Sequence, residues 1–397
     1  HPIHFYTACR FCCLFAAYSD TRPVTLLTIS PNFMVLFQRM KNVVILGSTG
    51  SLGQQALKIL EKYKKYFRVI GLSANVQKQL LEQQAQKFGI KHTVLASTDG
   101  EKEIKKLSTL QKADIIINVL SGVAGIDPSL AALKAGKILI LGNKESLFVE
   151  GKKIAKMLPH VIPLDSEHNA IFEIIRKIYT DAIKKNLPLP IIKRIILPCS
   201  GGPFFDKSIS DLKTATSTQA LNHPKWSMGQ KISIESATLI NKGLEIIEAH
   251  YLFGLPLSKI YAKINRECTI HGVVEFLTGN RHKKLETLAY FAKPSMEEHI
   301  ENALIRAAGL DILDNKINQR IKILHSANKP ACGGFHPHFQ SLSRLQKNLP
   351  GIQTVLNIFK KNPAPNILRN FLIKEEQTIK QFLAGKIKFL EIFKRLQ

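Results

Sequence analysis

From Lys41 onward the chain alternates short apolar runs with amphipathic stretches. The run "NVVIL" leads into a glycine-rich turn and then "SLGQQALKIL", where Leu52, Ala56, Leu57 and Leu60 share one helical face. Further apolar runs, "FRVIGLSA", "HTVLAS", "ADIIINVLSG", "GKILILGNKE" and "HVIPLD", alternate with helical stretches such as 77–88 and 127–135. Runs that are apolar on both faces and separated by helices predict a parallel sheet covered on both sides.

The predicted class is therefore α/β. An N-terminal Rossmann-like parallel sheet is expected over 41–165, a central α/β catalytic domain over 166–296 and a C-terminal helical region over 297–397. In that last region, 297–324 and "IKEEQTIKQFLAGKIKFLEIFKRL" carry the period of amphipathic helices, as in a small terminal bundle. Residues 1–40 read as a leader or non-native extension, with one acid, Asp20, and an apolar stretch around 11–18 that is too short to span a bilayer.

Composition changes this picture in two respects. Lys and Arg total 56 against 30 acids, a formal charge of +26. The lysines are scattered, with no basic block interleaved with aromatics, so the charge argues for attraction of an anion rather than for a dedicated nucleic-acid surface. Six cysteines, at 9, 12, 13, 199, 268 and 332, lack a second pair at metal-site spacing, which points to a reducing compartment.

Gly47, Gly50 and Gly53 between a strand and a helix favour a dinucleotide pyrophosphate site over a plain tight turn. The second strand ends Ser73, Ala74, Asn75 with Lys78 nearby and no acid to bond a ribose 2′-hydroxyl, so NADPH is expected rather than NADH. Asn143, Lys144 and Glu145 follow the fifth predicted strand, and strand C-termini line the ligand crevice of such sheets. Cofactor contact is expected there, against the alternative of a turn with a solvated ion pair.

In "PLDSEHNAIFE" the sixth strand is read as 161–165, so that Asp165 and Glu167 alternate along extended chain and face one way. Two carboxylates that close call for a proton or a cation, and oxygen ligands suit Mg²⁺ or Mn²⁺. A helix cap made by Ser166 or Asp165 explains the same segment equally well. "LPCSGGPFF" is a turn whose backbone can approach a phosphate. In "HPKWSMGQKISIESATLINKGLEIIEA", Asn241 and Glu245 share a helical face beside Lys242, either as a metal ligand with phosphate donors or as a solvated pair. Trp226 lies in a Pro- and Gly-bearing loop, where it reads as a lid rather than as core.

Taken in order, "GSTGSLG", "GNKES", "PLDSEHNAIFE", "CSGGPF" and "HPKWSMGQKISIESATLINKGLEIIEA" resemble the 1-deoxy-D-xylulose 5-phosphate reductoisomerase family over roughly residues 41–253. The resemblance implies metal ligation by Asp165, Glu167 and Glu245. It implies that Ser166, Ser200, His223, Ser236, Asn241 and Lys242 hold a phosphorylated sugar substrate. Thr49, Gly50, Ser51, Leu52, Asn143, Lys144, Glu145 and Gly229 match cofactor contacts, and Trp226 with Met228 fall in a mobile loop. The implied reaction is metal-assisted rearrangement of 1-deoxy-D-xylulose 5-phosphate and its reduction by NADPH to 2-C-methyl-D-erythritol 4-phosphate. The family implies a homodimer. The leader and the Arg266-Glu267-Cys268 sequence resemble parasite plastid members, with a bacterial cytoplasm as the alternative. Two rival functions are another NADPH-dependent dehydrogenase, which needs no acidic trio, and a non-catalytic basic binding protein derived from the enzyme.

Beyond residue 253 the resemblance weakens, although His271 matches a family histidine and "FAKPSMEEHIENALIRAAG" fits. Between Asn280 and Phe291 the chain reads as too short for the family's Gly-Asn-Pro-Asp-Met stretch and the strand and loop that follow it. "ILHSANKPACGG" reads as a degraded Leu-Asn-Ala-Ala-Asn-Glu motif, residues 335–370 match no family pattern, and the chain ends early. The expectation is an intact front joined to an incomplete back, with a lost strand exposing sheet edge.

Overall fold

The computed structural model describes residues 39–226, 228–279, 282–324 and 339–397. Leader residues 1–38 and "HSANKPACGG" lie outside the described residues. Six strands, β1 (Lys41–Leu46), β2 (Phe67–Ala74), β3 (His92–Leu95), β4 (Ile115–Asn118), β5 (Ile138–Leu141) and β6 (Val161–Pro163), form one parallel sheet in the order β3-β2-β1-β4-β5-β6. β4, buried throughout, and β1, buried from Val43 to Leu46, sit at its centre, as expected for strands covered by helices on both faces. Strand order reverses between β1 and β4, which is where such sheets open a ligand crevice.

The turn after β1 needs glycine at two positions. Gly47 has φ +92°, and a Cβ there would stand 3.0 Å from the Val119 carbonyl oxygen. A Cβ on Gly53 would fall 2.3 Å from the Gly47 oxygen, so the helix α1 (Ser51–Lys62) packs against the turn only without a side chain. Two further helices of this half matter below: α2 (Lys144–Ile154) after β5 and α3 (Ser166–Lys184) after β6.

One expectation is corrected at this point. Strand β6 stops at Pro163, and Asp165 (φ −53°, ψ 137°) is the N-cap residue of α3, with Glu167 in its first turn. Asp165 and Glu167 therefore do not alternate along a strand. The proposed side-chain cap is absent as well, because no side-chain hydrogen bond caps this helix. An apolar run followed by polar residues does not distinguish a strand end from a helix start, since both place the chain at the sheet's edge.

A second sheet has the order β11-β10-β9-β7-β8, formed by β7 (Ile191–Cys199), β8 (Ile260–Ile264), β9 (Ile270–Thr278), β10 (Lys284–Phe291) and β11 (Ile321–Ile323). β7 and β8 run parallel, and the other neighbours are antiparallel. The strand expected to be missing is present: β10 pairs with β9 from Lys284↔Thr278 to Phe291↔Ile270. A tight return makes this possible, with Gly279 and His282 both at positive φ and the His282 amide donating to the Gly279 carbonyl at 3.1 Å. Residues 297–324 are not helical throughout, because Ile321–Ile323 turns extended and edges this sheet as β11.

Two further helices, α4 (Gln230–Thr238) and α5 (Ile240–Phe253), are separated by Leu239 in the left-handed conformation at φ 63°, and α5 packs on β8 and on α2. The previously unmatched 335–370 segment supplies α6 (Gly351–Lys361), whose Ile352 and Val355 are buried against α5. A Cβ on Gly243 would meet Val355 at 2.8 Å, so α5 and α6 touch nearly backbone to side chain. The long α7 (Pro365–Leu383) and α8 (Glu391–Leu396) complete the helical region, with Phe371 and Phe359 packed on Phe148 of α2 at ring-centroid distances of 6.0 and 6.2 Å. No helix among the described residues is long and apolar enough to cross a membrane.

Candidate active site

The segments that follow β5, β6, β7 and β10 line one cavity of about 350 Å³. Its wall contains Asp165, Ser166 and Glu167 from the start of α3, and Asn241, Lys242 and Glu245 from α5. It also contains Ser200, His223, Trp226, Met228, Gly229 and Ser236, together with Ser51 and Leu52 at the N-terminus of α1.

Glu245 is the hinge of the charge arrangement. Lys144 Nζ lies 2.5 Å from Asp165 Oδ2 and 3.6 Å from Glu245 Oε1, while Lys242 Nζ lies 2.6 Å from Glu167 Oε1 and also contacts Glu245 Oε2. Asn241 donates to Glu245 Oε1 at 2.5 Å and accepts from Lys144 at 2.7 Å, and Ser166 Oγ donates to Glu167 Oε2 at 2.6 Å. Three carboxylates thus converge around two ammonium groups, nearly all of it buried. The alternative of solvated pairs at Lys144 and Lys242 does not hold: both lysines are buried, at 6 % and 4 % exposure.

The electrostatics follow from this crowding. Burial and then the Glu167 charge push the Glu245 carboxyl up to about 7, against the pull of Lys242 and Lys144. Burial also resists charging of Glu167, but Lys242 outweighs it and holds that carboxyl well below the usual range. Burial opposes the charged form of Lys144, yet Asp165 and Glu245 keep it protonated well above its ordinary value.

Sequence reasoning missed Glu248, one turn beyond Glu245 on the same helix. It is buried, neither of its oxygens accepts a hydrogen bond from the described residues, and burial with Asp165 pushes its carboxyl well above the ordinary range. Asp165, His168 and Glu248 each present a ligand atom within 4.8 Å of the others. His168 is fixed by its Nε2 contact with the Glu245 carbonyl at 2.9 Å, and burial lowers its pKa to about 4, leaving it neutral. The i,i+3 spacing of Glu245 and Glu248 was the available signal.

The Ser-Gly-Gly turn after β7 forms a second subsite. His223 Nδ1 accepts from the Lys225 and Trp226 amides at 3.2 and 3.0 Å, which places the proton on Nε2. That Nε2–H then donates to Ser200 Oγ at 2.9 Å, and the Gly202 amide donates to the same oxygen at 3.0 Å. Ser200 is left with its own O–H as a donor in a cavity wall. Trp226 stands edge-on to His271 with ring centroids 6.3 Å apart, in the loop read as a lid. Pro294, Ser295 and Met296, just past the strand that the sequence reading omitted, form another part of the wall.

The cofactor-side residues divide into two groups. Ser51, Leu52, Lys144 and Gly229 reach the cavity; Gly47, Thr49, Gly50, Gly53, Asn143 and Glu145 do not line it. The Asn143 amide donates to the Leu120 and Gly122 carbonyls and to Glu145, and Glu145 accepts from the Gly122 amide and from Lys231. Both therefore shape the neighbouring loop with their side chains. Asn75 is exposed at the end of β2, as is Lys78, whose ammonium is 3.9 Å from Glu82.

These residues fit both implied groups. Hard oxygen donors crowded enough to raise Glu245 and Glu248, with orphaned buried carboxylate oxygens, suit a divalent cation. Two glycines whose Cβ atoms would strike backbone, ahead of a helix N-terminus at the sheet's switch point, suit a dinucleotide pyrophosphate.

Comparison with known proteins agrees. The model of 1-deoxy-D-xylulose 5-phosphate reductoisomerase matches residues 43–106 and 92–151, and that of its C-terminal domain matches 161–253. The enzyme of that name from Thermodesulfovibrio yellowstonii is 34 % identical over 379 residues, covering 89 % of this chain and 90 % of its own, and that from Sulfurihydrogenibium sp. is 35 % identical over 368 residues, covering 89 % of each. Among solved structures, the Zymomonas mobilis reductoisomerase in complex with NADPH superposes with TM-score 0.68 at 27 % identity over 90 % of each chain. A DOX-P reductoisomerase in complex with NADPH, fosmidomycin and magnesium gives 0.68 at 29 % identity, covering 90 % of this chain and 88 % of that one. Likeness over this length runs far past residue 253, where the motifs quoted from the sequence stop. With an acidic trio and a glycine-rich helix start facing one cleft, and with relatives matched along nearly their whole length, the chain belongs to the 1-deoxy-D-xylulose 5-phosphate reductoisomerase family.

Proposed function

We infer that this protein rearranges 1-deoxy-D-xylulose 5-phosphate and reduces it to 2-C-methyl-D-erythritol 4-phosphate, using NADPH and one divalent cation. The observation that carries the reading is Glu245, which shares Lys144 with Asp165 and Lys242 with Glu167 in one cleft. Such a trio has no purpose in a metal-independent dehydrogenase.

Asp165, Glu167 and Glu245 would hold the cation, with Glu248 and His168 behind them. Bound there, the cation supplies Lewis-acid polarisation of substrate oxygens and NADPH supplies the reducing equivalent. The chain's own residues do the rest. Lys242 Nζ stays protonated between Glu167 and Glu245 and can donate to a substrate oxygen as charge builds on it. Ser200, with Ser236 and Asn241, would orient the sugar phosphate, and His223 would support Ser200 from behind. Trp226 and Met228 would close over the substrate and exclude water. Gly47, Gly50, Gly53, Ser51 and Leu52 would receive the cofactor's phosphates, with Asn75 near its ribose.

NADPH absorbance on addition of 1-deoxy-D-xylulose 5-phosphate, with and without a chelator, tests this. Oxidation that needs both sugar phosphate and metal is expected; oxidation unaffected by chelator returns the metal-independent dehydrogenase. A homodimer belongs to the same proposal and is checked by light scattering. A plastid, suggested by the Arg266-Glu267-Cys268 sequence, and a bacterial cytoplasm, suggested by the bacterial relatives above, are separated by locating the protein in the cell that makes it.

A further inference from the structure

Arg266 opens the sequence Arg266-Glu267-Cys268, to which no catalytic role attaches. It lies just beyond the end of β8, beside the parallel strand β7, so it reaches the turn with which β7 ends. Its Nη1 donates to the Ser200 carbonyl at 2.6 Å and more loosely to the Gly202 carbonyl at 3.3 Å. Its guanidinium also stands over the Phe205 ring, 4.5 Å from the centroid.

Phe205 lies in turn against Gly201, where a Cβ would come 2.7 Å from its ring. Gly201 and Gly202 have φ of 82° and 73°, a conformation that needs an external hold because nothing in the local sequence beyond glycine prefers it. Arg266 thus grips the Ser200–Gly202 turn twice, through its carbonyls and through the aromatic ring that packs on it. With the carbonyls pinned outward, the Gly202 amide turns onto Ser200 Oγ, which also accepts from His223.

We propose that Arg266 is a positioning residue for the substrate's phosphate subsite, holding the Ser200–Gly202 turn so that the Ser200 hydroxyl is presented as a donor to the phosphate. The inference rests on the reading of Ser200 and His223 as phosphate-site residues. A lysine does not replace this fork, because a single ammonium on a flexible stem cannot serve the carbonyls and the ring face together. Arg266 also has an electrostatic consequence for its neighbour: burial first, and then the guanidinium charge, lower the His223 pKa to about 4.

The test compares Arg266→Gln, Arg266→Lys and Ser200→Ala in the full chain. For Arg266→Gln, the KM for the sugar phosphate and the inhibition constant of inorganic phosphate both rise roughly tenfold, the scale of one lost charge-assisted hydrogen bond, with kcat falling much less. Arg266→Lys retains the charge and falls between. In Arg266→Gln the His223 imidazole, followed by NMR, titrates at higher pH than in the parent, a change that loss of packing elsewhere does not produce. If Ser200→Ala raises KM and neither Arg266 variant does, the proposal is wrong. If Ser200→Ala also leaves KM and phosphate inhibition unchanged, the phosphate subsite itself has been misplaced and the role of Arg266 goes with it. A poorly folded Arg266→Gln leaves the decision to Arg266→Lys, whose KM must then exceed that of the parent.

Discussion

Lys242 Nζ lies 2.6 Å from Glu167 Oε1, joining one helix start to another across 75 residues of sequence. The same ammonium contacts Glu245 on its own helix, so it serves two acids that come from different parts of the chain. That shared cation lets the acidic trio assemble in a buried cleft before a metal arrives.

Glu245→Gln keeps the shape and removes one ligand charge. Metal-supported turnover is expected to fall by about 100-fold or more, beyond the usual effect of altering a supporting residue around a metal. A titration of NADPH oxidation against Mg²⁺ checks it, and an unchanged curve excludes Glu245 from the metal site.

Lys144→Met leaves Asp165 and Glu245 without their nearest shared cation. Removing one partner of a buried ion pair costs about 3 kcal/mol, so the metal-free variant should melt well below the parent. Mg²⁺ should raise the melting temperature more in the variant than in the parent, because there the ion also relieves the uncompensated charge. Equal metal-induced shifts in the two proteins would contradict the assignment.

Lys231 on α4 is the cation among Glu145, Glu235 and Glu375, at 3.1 Å from Glu145 and 3.4 Å from Glu375. Lys231→Met is expected to destabilise by about 3 kcal/mol, whereas Glu375→Gln should change stability by less than about 1 kcal/mol near neutrality. Burial pushes the Glu375 carboxyl well above its ordinary 4.5 despite Lys231. Its contribution is therefore fully present below 4.5 and fades as pH rises through the folded value. Glu375→Gln, neutral throughout, should gain on the parent as pH climbs, as urea midpoints at several pH values will show.

Trp226 is the only tryptophan in the sequence, so its emission reports on the loop directly. Addition of sugar phosphate with NADPH and Mg²⁺ should shift and sharpen that emission. An edge-to-face contact such as that with His271 contributes about 1 kcal/mol, so Trp226→Ala should lower kcat/KM about fivefold through this contact alone. An emission spectrum indifferent to ligands would remove the lid.

His299 donates from Nδ1 to Asn169 Oδ1 at 3.1 Å, and its Nε2 meets His271 Nδ1 at 3.1 Å. Burial, and secondarily the neighbouring His271, hold its pKa well below 6.5. The unfolded chain then binds a proton that the folded one refuses. Stability contributed by neutral His299 is present above 6.5 and declines as pH falls below it, by up to about 1.4 kcal/mol per pH unit. His299→Gln should lose this component, giving a flatter profile between pH about 6 and 5 than the parent's. Identical slopes would show that His299 is charged in the fold.

Much of the architecture is carried by local pattern. The parallel sheet was legible because its strands are apolar on both faces and regularly interrupted by helices, and the turn at Gly47 and Gly53 because only glycine permits that approach. Motif order was enough to identify the family. The helical character of the chain's end was legible from its amphipathic period, but β10 and the edge strand β11 were missed, because a strand resumed after a short return carries no signal until its partner is known. Only the tertiary structure put Glu245 between Lys144 and Lys242, set Glu248 behind it, made Asp165 a helix start rather than a strand end, and laid Arg266 over the Ser200 turn. Sequence encodes each residue's chemistry and its near neighbours' spacing. Which charges share a buried cation depends on how elements far apart in the chain come together, and that is decided by packing.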